Sequence, residues 1–253
     1  MSALIELKDV TNRFGAETVH DGVNLTLNEN ETLGLVGGSG SGKSVLLRTM
    51  LGLNPPQQGK VLVDGTDLYA LSPEQRLSIQ KQWGVLFQNG ALFSGLCVLD
   101  NVALPLREHT DLSEKTIGDL ALAKLQMVGL EPDTAEKYPS ALSGGMVTRA
   151  GVARAMALDP QILFLDEPTG ALDPTAAASL DELMSSLHET LKLTIVIITH
   201  DPNTLVNVCD RIAMIVDKKV ESGTLDDMLA SKNQDVRAYF SGPRVKAALK
   251  ERH

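Results

Sequence analysis

The feature that most constrains the fold of this sequence is a glycine-rich stretch between two apolar segments. It reads Gly37, Gly38, Ser39, Gly40, Ser41, Gly42, Lys43 and Ser44, followed by Val45. Several backbone N–H groups can converge on a polyphosphate only where no side chain blocks them, so the glycines favour a phosphate-binding loop. Lys43 would then contact the outer phosphates, and the Ser44 hydroxyl would be a ligand for Mg²⁺.

The segments on both sides of this phosphate loop (residues 37–44) support the same interpretation. Residues 31–36 have the composition of a buried strand, and residues 45–51 are predicted to form a helix whose N-terminus faces the phosphates. The alternative is a glycine turn with an incidental Lys-Ser pair, which requires neither a preceding strand nor a following helix. We therefore predict a nucleotide site of the strand–loop–helix type.

Composition excludes several classes of protein. The chain has 253 residues, of which 43% are hydrophobic, as is typical of a globular protein with one large or two small domains. A net charge of −9 argues against a general nucleic-acid binder, so no nucleic acid is expected as a partner. Cys97 and Cys209 lack metal-ligand spacing and are expected to be ordinary apolar residues in a reducing, cytosolic compartment. No apolar run approaches the ~20 residues of a membrane span, so work at a membrane would require a partner.

Two kinds of strand are predicted from the pattern of apolar residues. Alternating segments, which indicate antiparallel strands with one solvated face, lie at residues 4–10, 23–27 and 60–64. Continuous apolar runs, which indicate parallel strands buried on both faces, lie at residues 85–87, 162–165, 194–198 and 212–216. Helical segments separate them, most clearly after Asp173, an N-cap residue followed by Pro174 at the first helical position.

The strand pattern disappears between residues 89 and 159. Helical spacing instead occupies residues 112–130 and 146–158. We therefore predict a single α/β domain whose nucleotide-binding core comprises residues 1–88 and 160–240, with an inserted helical subdomain at 89–159 and a tail at 241–253. The basic residues of this tail predict either a solvated final helix or a surface that docks a partner or a membrane. They are Arg244, Lys246, Lys250 and Arg252.

Polar side chains follow three of the predicted buried strands. Asp166 is the candidate on the metal side, and Glu167 could accept a proton from an attacking water, although exposed acids at a strand end would give the same pattern. His200 could hydrogen-bond a γ-phosphate or orient the water, because the carboxyl ends of parallel strands are where ligands bind. Gln88 occupies the same kind of position and could reach the metal or the water.

A second anion site is predicted far along the chain from the first. Ser143, Gly144 and Gly145 precede a helix that carries Arg149 and Arg154, and a serine with two glycines at a helix start can bind an anion. The alternative is a helix cap with a flexible start. One nucleotide does not need two such sites, so we interpret the pair as a site shared between two molecules.

The order and spacing of these motifs resemble those of the ATP-binding-cassette (ABC) ATPases over nearly the whole chain. The matching motifs are the phosphate loop, Gln88, residues 142–145, residues 162–167, residues 171–173 and His200. The resemblance implies a RecA-like P-loop NTPase fold, in which a parallel-sheet α/β core carries an N-terminal antiparallel β subdomain and an inserted α-helical subdomain.

The same resemblance implies ATP hydrolysis with Mg²⁺ in a head-to-tail homodimer. ATP on the phosphate loop of one subunit would be covered by Ser143, Gly144 and Gly145 of the other. Phe14 matches the aromatic residue on which adenine stacks in this family, and a core phenylalanine is the alternative. Gly170 replaces the usual serine before residues 171–173, and Val45 stands where a second hydroxyl often contacts the α-phosphate, but neither departure removes a catalytic group.

A closer resemblance is to the ATPases of the Mla/Mce-type phospholipid transporters of bacterial envelopes. It rests on residues 86–93, residues 98–109, Met146 and residues 235–242. It implies an ATPase peripheral to the cytoplasmic face of the inner membrane, with a permease docked near residues 88–93. A Mce-domain substrate-binding protein and an accessory subunit would be further partners. The alternatives are a transporter of another substrate, a soluble cassette such as an iron–sulfur assembly component, and a nucleotide-binding regulator without turnover.

Overall fold

The computed structural model describes residues 2–251, and the side chains of residues 2–250. Strands β1–β10 of this part of the chain span Ala3–Phe14, Glu17–Asn28, Thr32–Gly37, Gln58–Val63, Thr66–Asp67, Trp83–Leu86, Ile162–Asp166, Thr194–Ile198, Arg211–Val216 and Lys219–Gly223. Helices α1–α10 span Lys43–Met50, Pro73–Gln80, Val98–His109, Glu114–Met127, Gly144–Ala155, Pro174–Leu191, Pro202–Asn207, Leu225–Leu229, Gln234–Phe240 and Pro243–Glu251.

These elements form two compact units. The first contains the described residues up to Gln80 and those from Thr194 onward, and the second is Lys81–Leu193. In the first unit, β2-β1-β4-β5 form an antiparallel sheet, and β3 lies between β8 and β9, parallel to both, with β10 antiparallel to β9. In the second unit, β6 is parallel to β7, and α3, α4 and α5 pack together. The two predicted classes of strand are therefore confirmed, whereas the subdomain boundaries stay a prediction.

A buried ion pair holds the two sheets of the first unit together. Glu31 is only 3% exposed, and its carboxylate accepts hydrogen bonds from Arg211 Nη1 at 2.9 and 3.0 Å and from the Asn28 backbone N–H at 2.6 Å. Arg211 Nη1 also donates to the Thr26 carbonyl at 3.2 Å. Because Thr26 and Asn28 lie in β2 and Arg211 begins β9, the pair joins the antiparallel sheet to the parallel strands. Removing one partner would leave a buried charge uncompensated.

One predicted strand is shifted. The run at residues 85–87 belongs to a strand that spans Trp83–Leu86, and Phe87 lies outside it with 39% of its surface exposed. Trp83 packs edge-on against Phe164 with ring centroids 5.8 Å apart. The aromatic contact thus places the start of this strand earlier than the aliphatic pattern indicates.

One helix of the second unit was not predicted at all. Helix α3 begins after Cys97, whose sulfur accepts a hydrogen bond from the Asp100 backbone N–H and whose thiol donates to the Asp100 carboxylate at 3.1 Å. Burial raises the pKa of the Cys97 thiol. Cys97 is therefore a helix-capping residue and not simply the small apolar residue expected from composition, and Pro105 inside α3 further weakens the sequence signal.

The C-terminal tail is a helix with one face packed into the first unit. Val245 is 3% exposed and Ala248 is 2% exposed, and both belong to a cluster with Phe240 and Ile212. The described basic residues of the tail lie on the opposite, exposed face, or at its edge. They are Arg244, Lys246 and Lys250, while Arg252 lies outside the described residues. The described part of the tail is therefore a helix whose basic residues are solvated, as one of the two alternatives predicts, although its other face is buried.

We predict that Ala248→Asp destabilises the protein by about 2–3 kcal/mol, because it places a carboxylate in an apolar cluster. The matched control is Ala247→Asp, which makes the same change at the neighbouring exposed position and should alter stability by less than about 0.5 kcal/mol. Urea unfolding followed by circular dichroism measures both. Equal midpoints for the two variants would show that α10 is not packed as described.

Candidate functional site

The phosphate loop connects β3 to α1 with a backbone that requires glycine. Gly37, Gly40 and Gly42 have φ angles of 155, 76 and 99°, a region that residues with a side chain rarely adopt. Among the described residues, no atom lies within 4 Å of where a Cβ would stand on Gly38 or Gly40, so this side of the loop is open. Gly42 is the N-cap residue of α1. The loop therefore offers backbone N–H groups and a helix N-terminus on an accessible side, as an anion requires.

Side-chain donors line the same loop. Lys43 Nζ donates to the carbonyl oxygens of Gly37 at 3.0 Å and Gly38 at 3.2 Å, so the ammonium group lies across the loop. Ser44 is exposed at the start of α1, and Val45 is half-buried after it. Ser41 Oγ is buried and has no hydrogen-bond partner among the described residues. An ammonium group, hydroxyls and glycine N–H groups in one place fit a triphosphate with Mg²⁺.

His20 lies against this loop, and sequence reasoning missed it. The residue is 0% exposed, and a Cβ on Gly42 would lie 2.6 Å from His20 Nε2. Its Nδ1 lies 2.9 Å from Oδ1 of Asn12, which is 1% exposed. Burial lowers the pKa of His20 to about 4, so the imidazole is neutral at pH 7. The sequence gives no signal for this contact, because neither partner is close to His20 along the chain.

The other two candidates of the first unit are exposed. Phe14 ends β1 with 48% of its surface exposed, so the alternative of a core phenylalanine is wrong. His200 follows β8, which pairs in parallel with the strand that leads into the phosphate loop. Because parallel neighbours end at the same edge of a sheet, His200 and the phosphate loop lie on one edge.

The second unit brings three predicted residues into one cleft. Gln88, Asp166 and Glu167 line it together with Thr148 and Gly170. The parallel pairing of β6 with β7 explains this grouping, because Gln88 follows the first strand and Asp166 ends the second. Glu167 has a φ of 51°, which is uncommon for a residue with a side chain and occurs often at functional sites.

The predicted second anion site is a capped helix start on the surface. Ser143 is the N-cap residue of α5, and its Oγ accepts a hydrogen bond from the Met146 backbone N–H at 3.3 Å. Ser143 and Gly144 are exposed and Gly145 is half-buried. The cap considered as an alternative is therefore present, and it still leaves the first turn accessible. The N-cap predicted at Asp173 is confirmed, because its carboxylate accepts two backbone N–H bonds at 3.0 Å.

Comparison with known proteins shows the family. The family model described as ABC transporter matches residues 20–170, more than half of the chain, including the phosphate loop and the strand that ends at Asp166. The chain belongs to the ABC transporter ATPases. The predicted α/β fold and the prediction of an ATPase that binds ATP with Mg²⁺ are thereby confirmed. In the described part of the chain, no helix is both long and apolar enough to cross a lipid bilayer.

Two groups of relatives differ in the cargo that their names give. The chain is 42% identical to the probable ribonucleotide transport ATP-binding protein mkl of Mycobacterium leprae, over 97% of this chain and 71% of the relative. It is 39% identical to the intermembrane phospholipid transport system ATP-binding protein MlaF of Haemophilus influenzae, over 94% of this chain and 90% of the relative. The MlaF of Escherichia coli K12 is 36% identical, over 94% of this chain and 89% of the relative.

Two solved structures show the same fold. A dimeric, post-hydrolysis state of the ATP-binding cassette MJ0796, bound to ADP and Pi, has a TM-score of 0.79 and 33% identity. The match covers 87% of this chain and 98% of that cassette. CbiO1 of Clostridium perfringens, part of the transporter complex cbiONQ, has a TM-score of 0.82 and 25% identity over 99% of this chain and 100% of its own.

We predict that His20 makes the free energy of unfolding fall as the pH drops from 6.5 towards 4. The unfolded state takes up a proton at a pKa near 6.5 while the folded state resists until about 4, so up to about 3 kcal/mol is lost across this window. Urea unfolding at several pH values measures the loss. The variant His20→Phe cannot take up this proton, and its stability should fall less over the same window. Parallel curves for the two proteins would contradict the prediction.

Proposed function

We propose that this chain is the ATPase subunit of a bacterial transporter that moves phospholipid through a separate permease. The observation that carries the proposal is the near end-to-end similarity to two MlaF proteins, of which 90% and 89% are covered. The ribonucleotide relative is 42% identical but is covered over only 71% of its length, so ribonucleotide is the second candidate cargo. In this proposal the chain works at the cytoplasmic face of the inner membrane, with a Mce-domain protein and an accessory subunit as further partners.

The first unit would bind the nucleotide. The N–H groups of the phosphate loop would hold the phosphates, with Lys43 on the outer two and Val45 beside the α-phosphate. Phe14 would stack on the adenine, for which its exposed ring is available. His200, at the same sheet edge as the loop, would hydrogen-bond the γ-phosphate and stabilise its charge.

The second unit would supply the groups for hydrolysis. Glu167 would orient the attacking water and take its proton, and Gln88 would contact that water or the metal. Asp166, with Ser44 of the first unit, would hold Mg²⁺, which when bound offsets the negative charge of the phosphates. The shared cleft of Gln88, Asp166 and Glu167 supports this division of roles.

A second copy of the chain would complete the site. The exposed first turn of α5, with Ser143, Gly144 and Gly145, would cover the ATP bound to the other subunit. The exposed N-terminus of this helix suits a phosphate. The dimeric state described for the MJ0796 cassette is consistent with this arrangement. A monomer would therefore hydrolyse ATP poorly, and specific activity should rise with protein concentration.

We predict that Glu167→Gln retains ATP binding but loses at least ~10²-fold in turnover, because an amide cannot accept the proton of the water. The control Glu182→Gln makes the same change on the exposed face of α6 and should hydrolyse ATP normally. Phosphate release and equilibrium binding of labelled ATP measure the two properties. Near-normal turnover in Glu167→Gln would refute the role given to this residue.

The segment after Gln88 is suited to contact a permease, because hydrogen bonds from a side chain of α5 hold its backbone in place. Arg154 donates from Nη1 to the Ala91 carbonyl at 2.8 Å and from Nη2 to the Gly90 carbonyl at 3.0 Å. The same guanidinium lies over the Phe93 ring, 5.9 Å from its centroid. Burial lowers the pKa of Arg154, and a partly desolvated cation makes these hydrogen bonds stronger than they would be in water.

A side chain of helix α3 holds the backbone of the same segment at Phe93. Asn101 is 0% exposed, and it accepts from the Phe93 N–H at 2.7 Å and donates to the Phe93 carbonyl at 3.1 Å. Phe93 nevertheless leaves 55% of its surface exposed. An aromatic ring held in place on the surface loses little entropy when a partner covers it, so it can act as an anchor for an apolar helix.

We predict that Phe93→Asp weakens capture of the permease at least tenfold, because one aromatic anchor often contributes more than 1.4 kcal/mol. The control Tyr138→Asp changes another exposed aromatic residue of the same unit, 51% exposed, and should leave capture unchanged. Both are tested by affinity purification from detergent-solubilised membranes. If both variants capture the permease equally well, the proposal that it docks at residues 88–93 is wrong.

The purified complex also decides the proposed function. Placed in liposomes with labelled phospholipid, it should move lipid with ATP, and the Glu167→Gln complex should not. ATP-driven movement of labelled ribonucleotide without movement of lipid would replace the proposal by the second candidate. A wholly soluble complex, with no multi-span subunit, would refute transport and favour an assembly ATPase.

A further inference from the structure

A chain of buried hydrogen bonds connects the start of α1 to the antiparallel sheet of the first unit. His20 Nδ1 lies 2.9 Å from Asn12 Oδ1, and Asn12 Nδ2 lies 3.2 Å from Thr49 Oγ1. Thr49 Oγ1 donates to the Val45 carbonyl at 2.9 Å. His20 and Thr49 are 0% exposed and Asn12 is 1% exposed. These polar groups lie in the core of the unit, where each unmade hydrogen bond would be costly.

The direction of every bond in this chain is fixed. Because the single proton of the Thr49 hydroxyl goes to the Val45 carbonyl, Thr49 Oγ1 accepts from Asn12 Nδ2. Asn12 Oδ1 then accepts from His20 Nδ1, which must carry the proton. The neutral imidazole therefore turns its Nε2 lone pair towards the backbone of Gly42. The ring is held on one side by Asn12 and touches the phosphate loop on the other.

The backbone pairing of β1 is irregular around Asn12, so hydrogen bonds from side chains help to hold this part of the strand in place. Asn12 lies opposite His20 in the pairing of β1 with β2, and the register shifts on both sides of it, before Asn12 and again before Arg13. Irregular pairing weakens the ability of the backbone ladder to fix this end of the strand. Phe14 lies only two residues further on, at the end of β1. The side chain of Asn12 thus supplies a fixed point just before the exposed aromatic ring.

We propose that Asn12 and His20 are positioning residues that set the place of Phe14 relative to the phosphate loop. A nucleotide can stack its base on an aromatic ring and bind its phosphates to the loop at the same time only if the distance between ring and loop matches the length of the nucleotide. Only then do both contacts contribute to its binding free energy. The chain from Gly42 through His20 and Asn12 to β1 fixes that separation without either residue touching ATP. The inference rests on the role given to Phe14 under the proposed function.

The test compares ATP with inorganic tripolyphosphate, which binds the phosphate loop but has no base. In the Asn12→Leu variant, which is close to isosteric, we expect the KM for ATP to rise about fivefold, the effect of one hydrogen bond. The kcat and the inhibition constant of tripolyphosphate should each stay within about twofold of the native values, because the loop itself is intact. A parallel rise in the KM and in the inhibition constant would mean that Asn12 supports only the loop, and would overturn the inference.

Two further variants separate positioning from general stability. Asn12→Leu/His20→Phe replaces both polar groups by apolar ones, so unfolding in urea should occur near the native midpoint while the KM for ATP stays raised. A native KM in this double variant would show that packing alone positions Phe14, and would overturn the inference. Asn24→Leu also breaks a bond between β1 and β2, in the middle of both strands, where Asn24 accepts from the Asp9 N–H at 3.0 Å. Its KM should be native, and a raised value would equally contradict the inference.

The variant Phe14→Ala distinguishes this inference from the assignment on which it rests. Loss of base stacking should raise the KM for ATP about tenfold and leave tripolyphosphate inhibition unchanged. If Phe14→Ala has a native KM, both the stacking role of Phe14 and the inference fall. If Phe14→Ala raises the KM and the Asn12 variants do not, the inference alone falls and the nucleotide site stands.

Discussion

The attraction between a polyphosphate and converging backbone N–H groups is the interaction on which the rest of this molecule depends. It requires that no side chain block those N–H groups, and therefore glycines with positive φ angles at 37, 40 and 42. It requires a helix N-terminus directly behind the loop, and a buried strand in front of it to hold the loop at a sheet edge. The parallel pairing of β3 with β8 then brings His200 to that same edge.

The same requirement explains why polar groups are buried beneath the loop. A glycine-rich loop has few side chains to pack, so its position depends largely on the residues around it. Val19 and His20 occupy the space where a Cβ on Gly42 would stand, and within the loop Lys43 donates to the carbonyls of Gly37 and Gly38. Hydrogen bonds are directional, and a network of them fixes one geometry where apolar contacts allow several.

Local patterns made part of this structure predictable from the sequence. The phosphate loop, the strand ending at Asp166 and the cap at Asp173 each depend on residues adjacent in the chain, and the structure has them where the patterns indicate. The start of β6 and helix α3 were not predicted, for two different reasons. Trp83 is placed by Phe164, which is distant in sequence, and α3 is capped by a cysteine, a residue seldom used for that purpose. The His20–Asn12–Thr49 chain could not be predicted, because its members belong to three different elements.

Helix α5 has two ends with different neighbours. Ser143 caps its exposed first turn. Arg154, in its last turn, donates hydrogen bonds to the carbonyls of Gly90 and Ala91. At 1.5 Å of rise per residue these two positions are about 16 Å apart, so a tilt of about 5° at one end displaces the other by about 1.4 Å. A hydrogen bond is broken by a shift of that size. If a permease docks beside Phe93 and Ser143 covers a nucleotide, as proposed, a rotation of α5 by only a few degrees at one end would make or break the contacts at the other.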